Sequence, residues 1–132
     1  MPIIFIRHVG LLGTPLAPDS SITQLISELP VDCSQDIVIE KMSPSCFKGT
    51  VLKEMLEQLN VNEIIISGMK TEYCIDTTVR AAADLGFDIS LISDAHTTFD
   101  SDLLSAQQII MHHNSTLNGA FAKLSTSAEF NF

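Results

Sequence analysis

The stretch EIIISGMKTEYCIDTTVRAAADLG, residues 63–86, decides the fold. It opens on an isoleucine-rich run, passes through a turn that contains Gly68, and continues as an Ala-rich segment that ends at Gly86. A short apolar run without polar alternation is typical of a strand that is buried on both faces of a parallel sheet. A strand, a turn and a helix in this order predict one unit of an α/β fold, with Cys74 near the start of the helix.

The same alternation of strand and helix patterns extends along the whole chain. Apolar runs predict strands at Ile3–Ile6, Ile37–Ile39, Glu63–Ser67, Ile89–Ser93 and Ala120–Leu124. Helical spacing of apolar residues predicts helices at Thr50–Leu59, Glu72–Leu85 and Asp102–His112. The prolines and glycines of Gly10–Pro30 predict a long loop with one short helix at most. Strands that alternate with helices predict a parallel sheet with right-handed crossovers.

Length and composition indicate one domain over residues 1–132 with an ample apolar core. The chain has 132 residues, of which 45% are hydrophobic, and a mean hydropathy of +0.28. Its net charge is -9, so the surface repels nucleic acid and anionic membranes, and neither is an expected partner. The expected partner is a small-molecule substrate.

Cysteine usage favours a reducing compartment. The three cysteines are Cys33, Cys46 and Cys74, and an odd count without a signal-peptide pattern argues against a disulfide framework. No run approaches the ~20 apolar residues that a membrane span requires. These features predict a cytoplasmic protein.

Polar residues follow the predicted strands. Arg7 and His8 follow the first strand, Lys41 follows the second, Gly68–Cys74 follows the third, and Asp94 and His96 follow the fourth. In an open parallel sheet the ligand site lies at the carboxyl ends of the strands. We therefore expect Lys41 and Cys74 to reach the same edge, although 33 residues separate them.

Cys74 is a candidate nucleophile. A thiol at the start of a helix ionises more readily, because unpaired N–H groups make that end positive, and a nearby ammonium such as Lys41 adds to the effect. The same N–H groups can bind an oxyanion during acyl transfer. Position alone leaves two alternatives open, because Cys74 is equally a candidate for a buried, inert thiol and Lys41 for a solvated surface charge.

The sequence predicts no metal site and no cofactor. Asp94-x-His96 and His112-His113 contain metal-binding residue types, but adjacent histidines on a helix point to different faces. The spacing of Cys74 and Arg80 matches that of cysteine phosphatases, yet the intervening residues include an acid and no glycine. We expect Arg80 to pair with Asp76 or Asp84 on its own helix instead.

Three ordered motifs resemble the isochorismatase-like hydrolases. They are Ile39-Glu-Lys41 followed by Ser45-Cys-Phe47-Lys-Gly49-Thr50, then Ile66-Ser-Gly68-Met-Lys-Thr71-Glu-Tyr-Cys74 with its continuation to Arg80, and then Ser93-Asp94-Ala95-His96-Thr97. The similarity extends from about Ile3 to the C-terminus, including His112-His113-Asn114-x-Thr116-Leu117.

The resemblance implies a fold and a set of site residues. The fold would be a three-layer α/β/α, Rossmann-like parallel sheet, and members usually form homo-oligomers. The catalytic residues would be Cys74 as nucleophile and Lys41 as the residue that stabilises its thiolate. A cis peptide would join Met69 and Lys70, and the amides of Lys70 and Cys74 would form an oxyanion hole. The substrate pocket would be lined by His8, Phe47, Thr71 and Tyr73.

One element of the family pattern has no match. Members begin with a strand that ends in the general-base Asp, followed by a helix, ahead of the region that matches Ile3–Ile6. The expectation is therefore a sheet that lacks this first strand and helix. The chain could be a shortened enzyme, a homologue that binds without turnover, or a protein that closes the gap through oligomerisation or strand exchange. In the last case His8 would be the substitute base, ahead of Asp94, and the competing interpretation of His8 is a pocket-wall residue.

Two functions from different classes follow. The first is a cysteine hydrolase that cleaves a small amide or related C–N bond, or an isochorismate-like ether, with a Cys74 thioester as the amide intermediate. The second is a catalytically impaired binding or assembly protein, which the unmatched Asp favours.

Overall fold

The computed structural model describes residues 2–32 and 34–130. The five strands are β1 (Ile4–His8), β2 (Ile37–Lys41), β3 (Glu63–Met69), β4 (Asp88–Thr97) and β5 (Lys123–Ser125). The three α-helices are α1 (Leu52–Gln58), α2 (Asp76–Asp84) and α3 (Ala106–Leu117). A π-helical turn, Thr71–Ile75, leads into α2, and 3-10 turns lie at Ser21–Thr23 and Ser127–Glu129. The predicted α/β class is confirmed.

All strand pairs are parallel, and they form two sheets. β1 pairs with β2, with Ile6 opposite Ile39, and the second sheet has the order β3-β4-β5. Within residues 2–32 and 34–130 no hydrogen-bond ladder joins the two sheets. The sequence predicted one sheet with a gap, whereas the described strands divide into two sheets. The absence of a first strand stays a prediction.

Side chains, rather than backbone hydrogen bonds, unite the two sheets. One buried cluster includes Val79 of α2 and Leu91 of β4, and the other contains Ile39, Leu52 and Leu56. Three further residues pack against both clusters, and they are Phe47, Ile64 and Phe87. Burying apolar surface stabilises by about 25 cal/mol per Å², and it does so without any hydrogen-bond ladder between the two sheets. This shared interior therefore keeps the ends of the strands of both sheets close together.

Two predicted elements are displaced. The helix predicted at Asp102–His112 begins at Ala106 instead, because Ser105 caps it: its hydroxyl accepts a hydrogen bond from the Gln108 amide in a capping box. The fifth strand was predicted at Ala120–Leu124 and lies at Lys123–Ser125. Residues 118–122 instead follow the end of α3, with the amides of Phe121 and Ala122 donating to the Leu117 carbonyl.

No helix among residues 2–32 and 34–130 is both long and apolar enough to cross a membrane.

Candidate active site

The carboxyl ends of three strands bring His8, Lys41 and Cys74 together. β1 ends at His8, β2 ends at Lys41 opposite it, and Cys74 follows β3 in the π-helical turn. The Lys41 Nζ donates to the Cys74 Sγ at 3.1 Å and lies 3.1 Å from the His8 Nδ1. The predicted edge of the sheet therefore carries a cluster of a base, an ammonium and a thiol.

The Lys41 ammonium is buried and fully hydrogen-bonded. Its exposed fraction is 4%, and its third partner is the Ser43 carbonyl at 2.9 Å. No carboxylate lies within 4.0 Å of it among the residues that the structure describes. A buried cation requires a compensating charge, and the group in contact that can supply one is the thiolate of Cys74.

The surroundings of His8 favour its neutral form. Burial, reinforced by the Lys41 ammonium, lowers the pKa of His8 below its ordinary value. Because an ammonium only donates, the His8 Nδ1 accepts the hydrogen bond from Lys41 and the remaining proton resides on Nε2. The imidazole therefore presents a lone pair to Lys41.

The second described thiol, Cys46, has a different environment. The Thr78 hydroxyl donates to its Sγ at 3.2 Å, and the Cys46 amide donates to the same hydroxyl oxygen at 3.1 Å. Burial raises the pKa of the Cys46 thiol above its ordinary value. The sequence singled out Cys74 by its position at the start of a helix, and of the two described thiols only Cys74 accepts a hydrogen bond from the Lys41 ammonium. Cys33 lies outside the described residues.

The turn that carries Cys74 has an unusual backbone. Gly68 has a φ of +122°, a conformation that residues with a Cβ rarely adopt, and the Met69–Lys70 peptide is cis. The amides of Tyr73 and Ile75 both donate to the Lys70 carbonyl. The Lys70 ammonium lies over the Tyr73 ring, 5.0 Å from its centroid, and over the Phe99 ring at 5.5 Å. Lys70 and Tyr73 therefore form one cation–π group beside the turn.

A buried polar network anchors this turn to β4 and α3. Thr71 Oγ1 lies 2.9 Å from His96 Nδ1, and His96 Nε2 lies 2.8 Å from Asn114 Oδ1. Asn114 Nδ2 donates to the Ser93 carbonyl, which fixes the amide orientation. His96 Nε2 therefore carries a proton, and in the neutral ring the Thr71 hydroxyl donates to Nδ1. His96 was predicted only to follow a strand, and its hydrogen bonds to Thr71 and Asn114 were not foreseen.

The remaining predicted residues have varied surroundings. Phe47 stacks on Phe87 with 6.0 Å between ring centroids and packs in the core, whereas 54% of Tyr73 is exposed. Asp94 accepts from the Ser127 amide and hydroxyl, so it secures the chain after β5 and makes no described contact with Lys41 or Cys74. Arg80 pairs with Asp76, as predicted.

Histidine and acid clusters suited to a metal are absent from the described part of the chain. His112 and His113 lie within α3, with ring centroids 5.4 Å apart in an edge-on arrangement. No group of three or more His, Cys, Asp or Glu residues within 2–32 and 34–130 could hold a metal ion.

Two cavities lie away from this cluster. One, of about 390 Å³, adjoins Glu63 of β3 and Lys123 of β5, and the other, of about 620 Å³, adjoins Arg7 and Val38. Neither is lined by Lys41 or Cys74. Side-chain chemistry, rather than cavity size, therefore identifies the candidate site.

Known proteins share both the sequence pattern and the fold. The chain is 33% identical to the isochorismatase family protein YrdC of Bacillus subtilis over 97 residues, covering 74% of this chain and 52% of YrdC. It is 32% identical to Nicotinamidase 3 of Arabidopsis thaliana, covering 80% of this chain and 60% of that protein. It thus spans only about half to three-fifths of the length of these two relatives.

Structural similarity gives the same assignment. An isochorismatase from Pseudomonas putida KT2440 superposes with a TM-score of 0.88 at 32% identity, covering 98% of this chain and 69% of that one. The family model described as the isochorismatase domain matches residues 1–129. The chain therefore belongs to the isochorismatase family.

Proposed function

We propose that the chain is a cysteine hydrolase in which Cys74 is the nucleophile. The observation that carries the proposal is the 3.1 Å contact between a buried, carboxylate-free Lys41 ammonium and the Cys74 sulfur. An ammonium in this position stabilises the thiolate, which is the nucleophilic form of cysteine. Membership of the isochorismatase family supports the same reaction class.

The proposed reaction has two steps. The Cys74 thiolate attacks the substrate carbonyl, the carbon–nitrogen bond breaks, and the departing nitrogen takes a proton from the Lys41 ammonium. Water then attacks the thioester carbon and the carbon–sulfur bond breaks. The hydroxyl joins the acyl carbon, Cys74 leaves as a thiolate, and the Lys41 amine, neutral after the first step, takes up the water proton. The amides of Lys70 and Cys74 stabilise the oxyanion in both steps.

The proposed substrate is a small amide or a related C–N compound. The nicotinamidase relative supports an amide, because its name denotes hydrolysis of one. An isochorismate-like ether is the second substrate class that the family supports, and its hydrolysis needs no Cys74 thioester. The two classes are distinguished by whether a covalent intermediate forms on Cys74.

Turnover of amides by matched cysteine variants tests the proposal. Nicotinamide and simple aliphatic amides are incubated with the wild type, Cys74→Ala and Cys46→Ala, and the released ammonia is measured. We expect Cys74→Ala to lose all protein-dependent turnover and Cys46→Ala to retain it. Equal rates for the wild type and Cys74→Ala would contradict the proposal for these substrates.

A binding or assembly protein is the second candidate function. It is favoured by one observation, namely that no carboxylate contacts Lys41 within the described part of the chain. Such a protein would bind the small molecule without consuming it.

We also propose a homo-oligomer, because both sheets leave strand edges unpaired within the described residues. Sedimentation velocity measures its size, and a monomer would exclude it.

A further inference from the structure

Two exposed aromatic rings hold the Lys70 ammonium at the edge of the sheet that carries Cys74. The Lys70 Nζ lies 5.0 Å from the centroid of the Tyr73 ring and 5.5 Å from that of the Phe99 ring. The exposed fractions of these two aromatic residues are 54% and 65%, whereas Lys70 itself is only partly exposed. Exposed apolar side chains that cluster around a polar group are typical of ligand-binding surfaces. The three side chains therefore form a candidate binding site.

The backbone places this ammonium beside the reacting sulfur. Lys70 begins the turn that carries Cys74. Its carbonyl accepts hydrogen bonds from the amides of Tyr73 and Ile75, the residues on either side of the cysteine. Phe99 reaches the same edge from the chain that follows β4. Because ligands of an open parallel sheet bind at the carboxyl ends of its strands, a small molecule bound to Lys70 can reach Cys74 with its other end.

The chemistry of this ring-held ammonium favours an anion. A ring face carries no net charge, so the cation–π contacts leave the positive charge of Lys70 and its three N–H donors available. A carboxylate is the small-molecule acceptor that suits such a donor, because charge-assisted hydrogen bonds are about twice as strong as neutral ones. The rings also restrict a flexible side chain, which lowers the entropy lost when a ligand binds.

We propose that Lys70, held by Tyr73 and Phe99, determines the specificity of the site and selects a small amide that carries a carboxylate. The carboxylate binds the ammonium while the amide carbonyl faces Cys74. This inference rests on the proposed function, whose substrate class it narrows. The net charge of -9 makes such a preference informative, because the protein as a whole repels anions and a preference for one requires a local cation.

Three amides of matched size test the preference. Succinamate, butyramide and β-alaninamide each place two methylenes after the amide and end in a carboxylate, a methyl group and an ammonium group. The variants are Lys70→Met, Lys70→Arg, which keeps the charge, and Lys123→Met as the matched control. Lys123 is exposed and pairs with Ser90 near the start of β4, so it lies towards the other end of the strands. Circular dichroism checks that each variant is folded.

Binding is measured by isothermal titration calorimetry in a Cys74→Ala background, so that no ligand is consumed. We expect this protein to bind succinamate more tightly than the other two amides. Adding Lys70→Met should weaken succinamate binding about tenfold to a hundredfold, the range for a lost hydrogen bond to a charged group, whereas adding Lys123→Met should leave it unchanged. Lys70→Arg should retain the preference. Added salt should weaken succinamate binding only where residue 70 is a cation.

Ammonia release by the proteins that retain Cys74 separates the substrate class from the reaction. The ratio of kcat/KM for succinamate to that for butyramide should fall in Lys70→Met by the same factor as binding does, and should keep its wild-type value in Lys123→Met. Because it is a ratio, any effect of the substitution on the oxyanion-binding turn that both amides share cancels.

The outcomes distinguish the two proposals. Turnover that depends on Cys74 without favouring succinamate, or a preference that survives Lys70→Met, would overturn the role of Lys70 and leave the hydrolase in place. Selective binding of succinamate with no Cys74-dependent ammonia release from any of the three amides would overturn the hydrolase for this substrate class and leave the anion site. Neither selective binding nor turnover would overturn both.

Discussion

At the scale of single residues, the surroundings of two thiols separate a reactive cysteine from an inert one. Cys74 receives a hydrogen bond from a buried ammonium, whereas Cys46 receives one from the Thr78 hydroxyl. A hydroxyl stabilises a thiolate far less than a full positive charge does. The two side chains are chemically identical, so a difference in reactivity between them reports their surroundings: the Lys41 contact at Cys74, and burial with the Thr78 hydroxyl at Cys46.

The Asn114 side chain is predicted to be a structural anchor of the catalytic turn. Asn114→Ala removes the partner of His96 Nε2 and leaves a buried donor without an acceptor. We expect the free energy of unfolding to fall by about 1–3 kcal/mol, as measured by urea denaturation.

The matched control lies on the same helix. Thr116 is exposed, and its hydroxyl bonds only to the His112 carbonyl of its own helix. Thr116→Ala should change the free energy of unfolding by less than about 0.5 kcal/mol. Equal losses for the two variants would show that the network has no special role in stability.

Much of the candidate site could be predicted from residue order, and part of it could not. Strand ends that share one edge were enough to bring Lys41 and Cys74 together, because parallel topology fixes that edge. The Thr71–His96–Asn114 network could not be foreseen, since it depends on side-chain directions across β4 and α3. Asp94 carried the right charge, but its bonds to Ser127 commit it elsewhere.

At the scale of elements, composition located the strands better than it located their ends. The isoleucine-rich runs mark β1–β4, as expected for strands of a parallel sheet, although of the described strands only β4 has an unbroken run of buried residues. β4 nevertheless extends to Thr97, four residues beyond its apolar run, because Gly68 and Met69 of β3 continue to pair with His96 and Thr97 across a register shift. The residues of that extension are mostly polar, so the apolar pattern of the sequence does not predict it.

Local hydrogen bonds account for the other differences between predicted and observed elements. The apolar spacing of residues 102–112 suggests an earlier start for α3, but Ser105, Gln108 and the Asp100 carboxylate satisfy the first amides of a helix that starts at Ala106. The prediction also treated Glu72–Leu85 as one helix. Its first turn is π-helical, over Thr71–Ile75, and π-helical turns of this kind are frequent at functional sites.

At the scale of the whole molecule, two sheets share one apolar interior. Phe47, Ile64 and Phe87 bridge the two buried clusters, so the positions of Lys41 and Cys74 depend on side-chain packing between sheets that no ladder joins in the described chain. A change that loosens this packing should therefore lower the stability of the fold and also disturb the contact between Lys41 and Cys74.

The stability of the fold is predicted to fall under mildly acidic conditions. Burial lowers the pKa of both His8 and His113 in the folded protein. The unfolded chain therefore binds more protons than the folded chain below about pH 6.5, so the free energy of unfolding decreases as the pH drops from there towards the lowered values. Above that range both states are neutral at these residues, and the effect vanishes.

Carboxylates act at lower pH in the same direction. Hydrogen bonds from Ser127 lower the pKa of Asp94 below its ordinary value of 3.8, so the stability that it contributes is lost as the pH falls through the lowered value. Urea unfolding from pH 8 to pH 4 measures the loss of stability that the two histidines cause. We expect the double variant His8→Gln/His113→Gln to show a smaller decrease in the free energy of unfolding near pH 6 than the wild type. A profile that is the same in the double variant and the wild type would contradict the assignment to these two histidines.

The most direct test of the central claim is the alkylation rate of Cys74 as a function of pH, in the wild type and in Lys41→Met. Iodoacetamide labelling followed by peptide mass spectrometry reports Cys74 and Cys46 separately in the same sample, so Cys46 serves as an internal control. We expect Cys74 of the wild type to react rapidly well below about pH 8, where ordinary thiols are protonated, and Lys41→Met to lose this reactivity while Cys46 remains slow in both. If Cys74 reacts as slowly as Cys46 in the wild type, the proposed hydrolase has no poised nucleophile. If Cys74 reacts equally fast in Lys41→Met, the ammonium does not activate the thiol and the central claim is wrong.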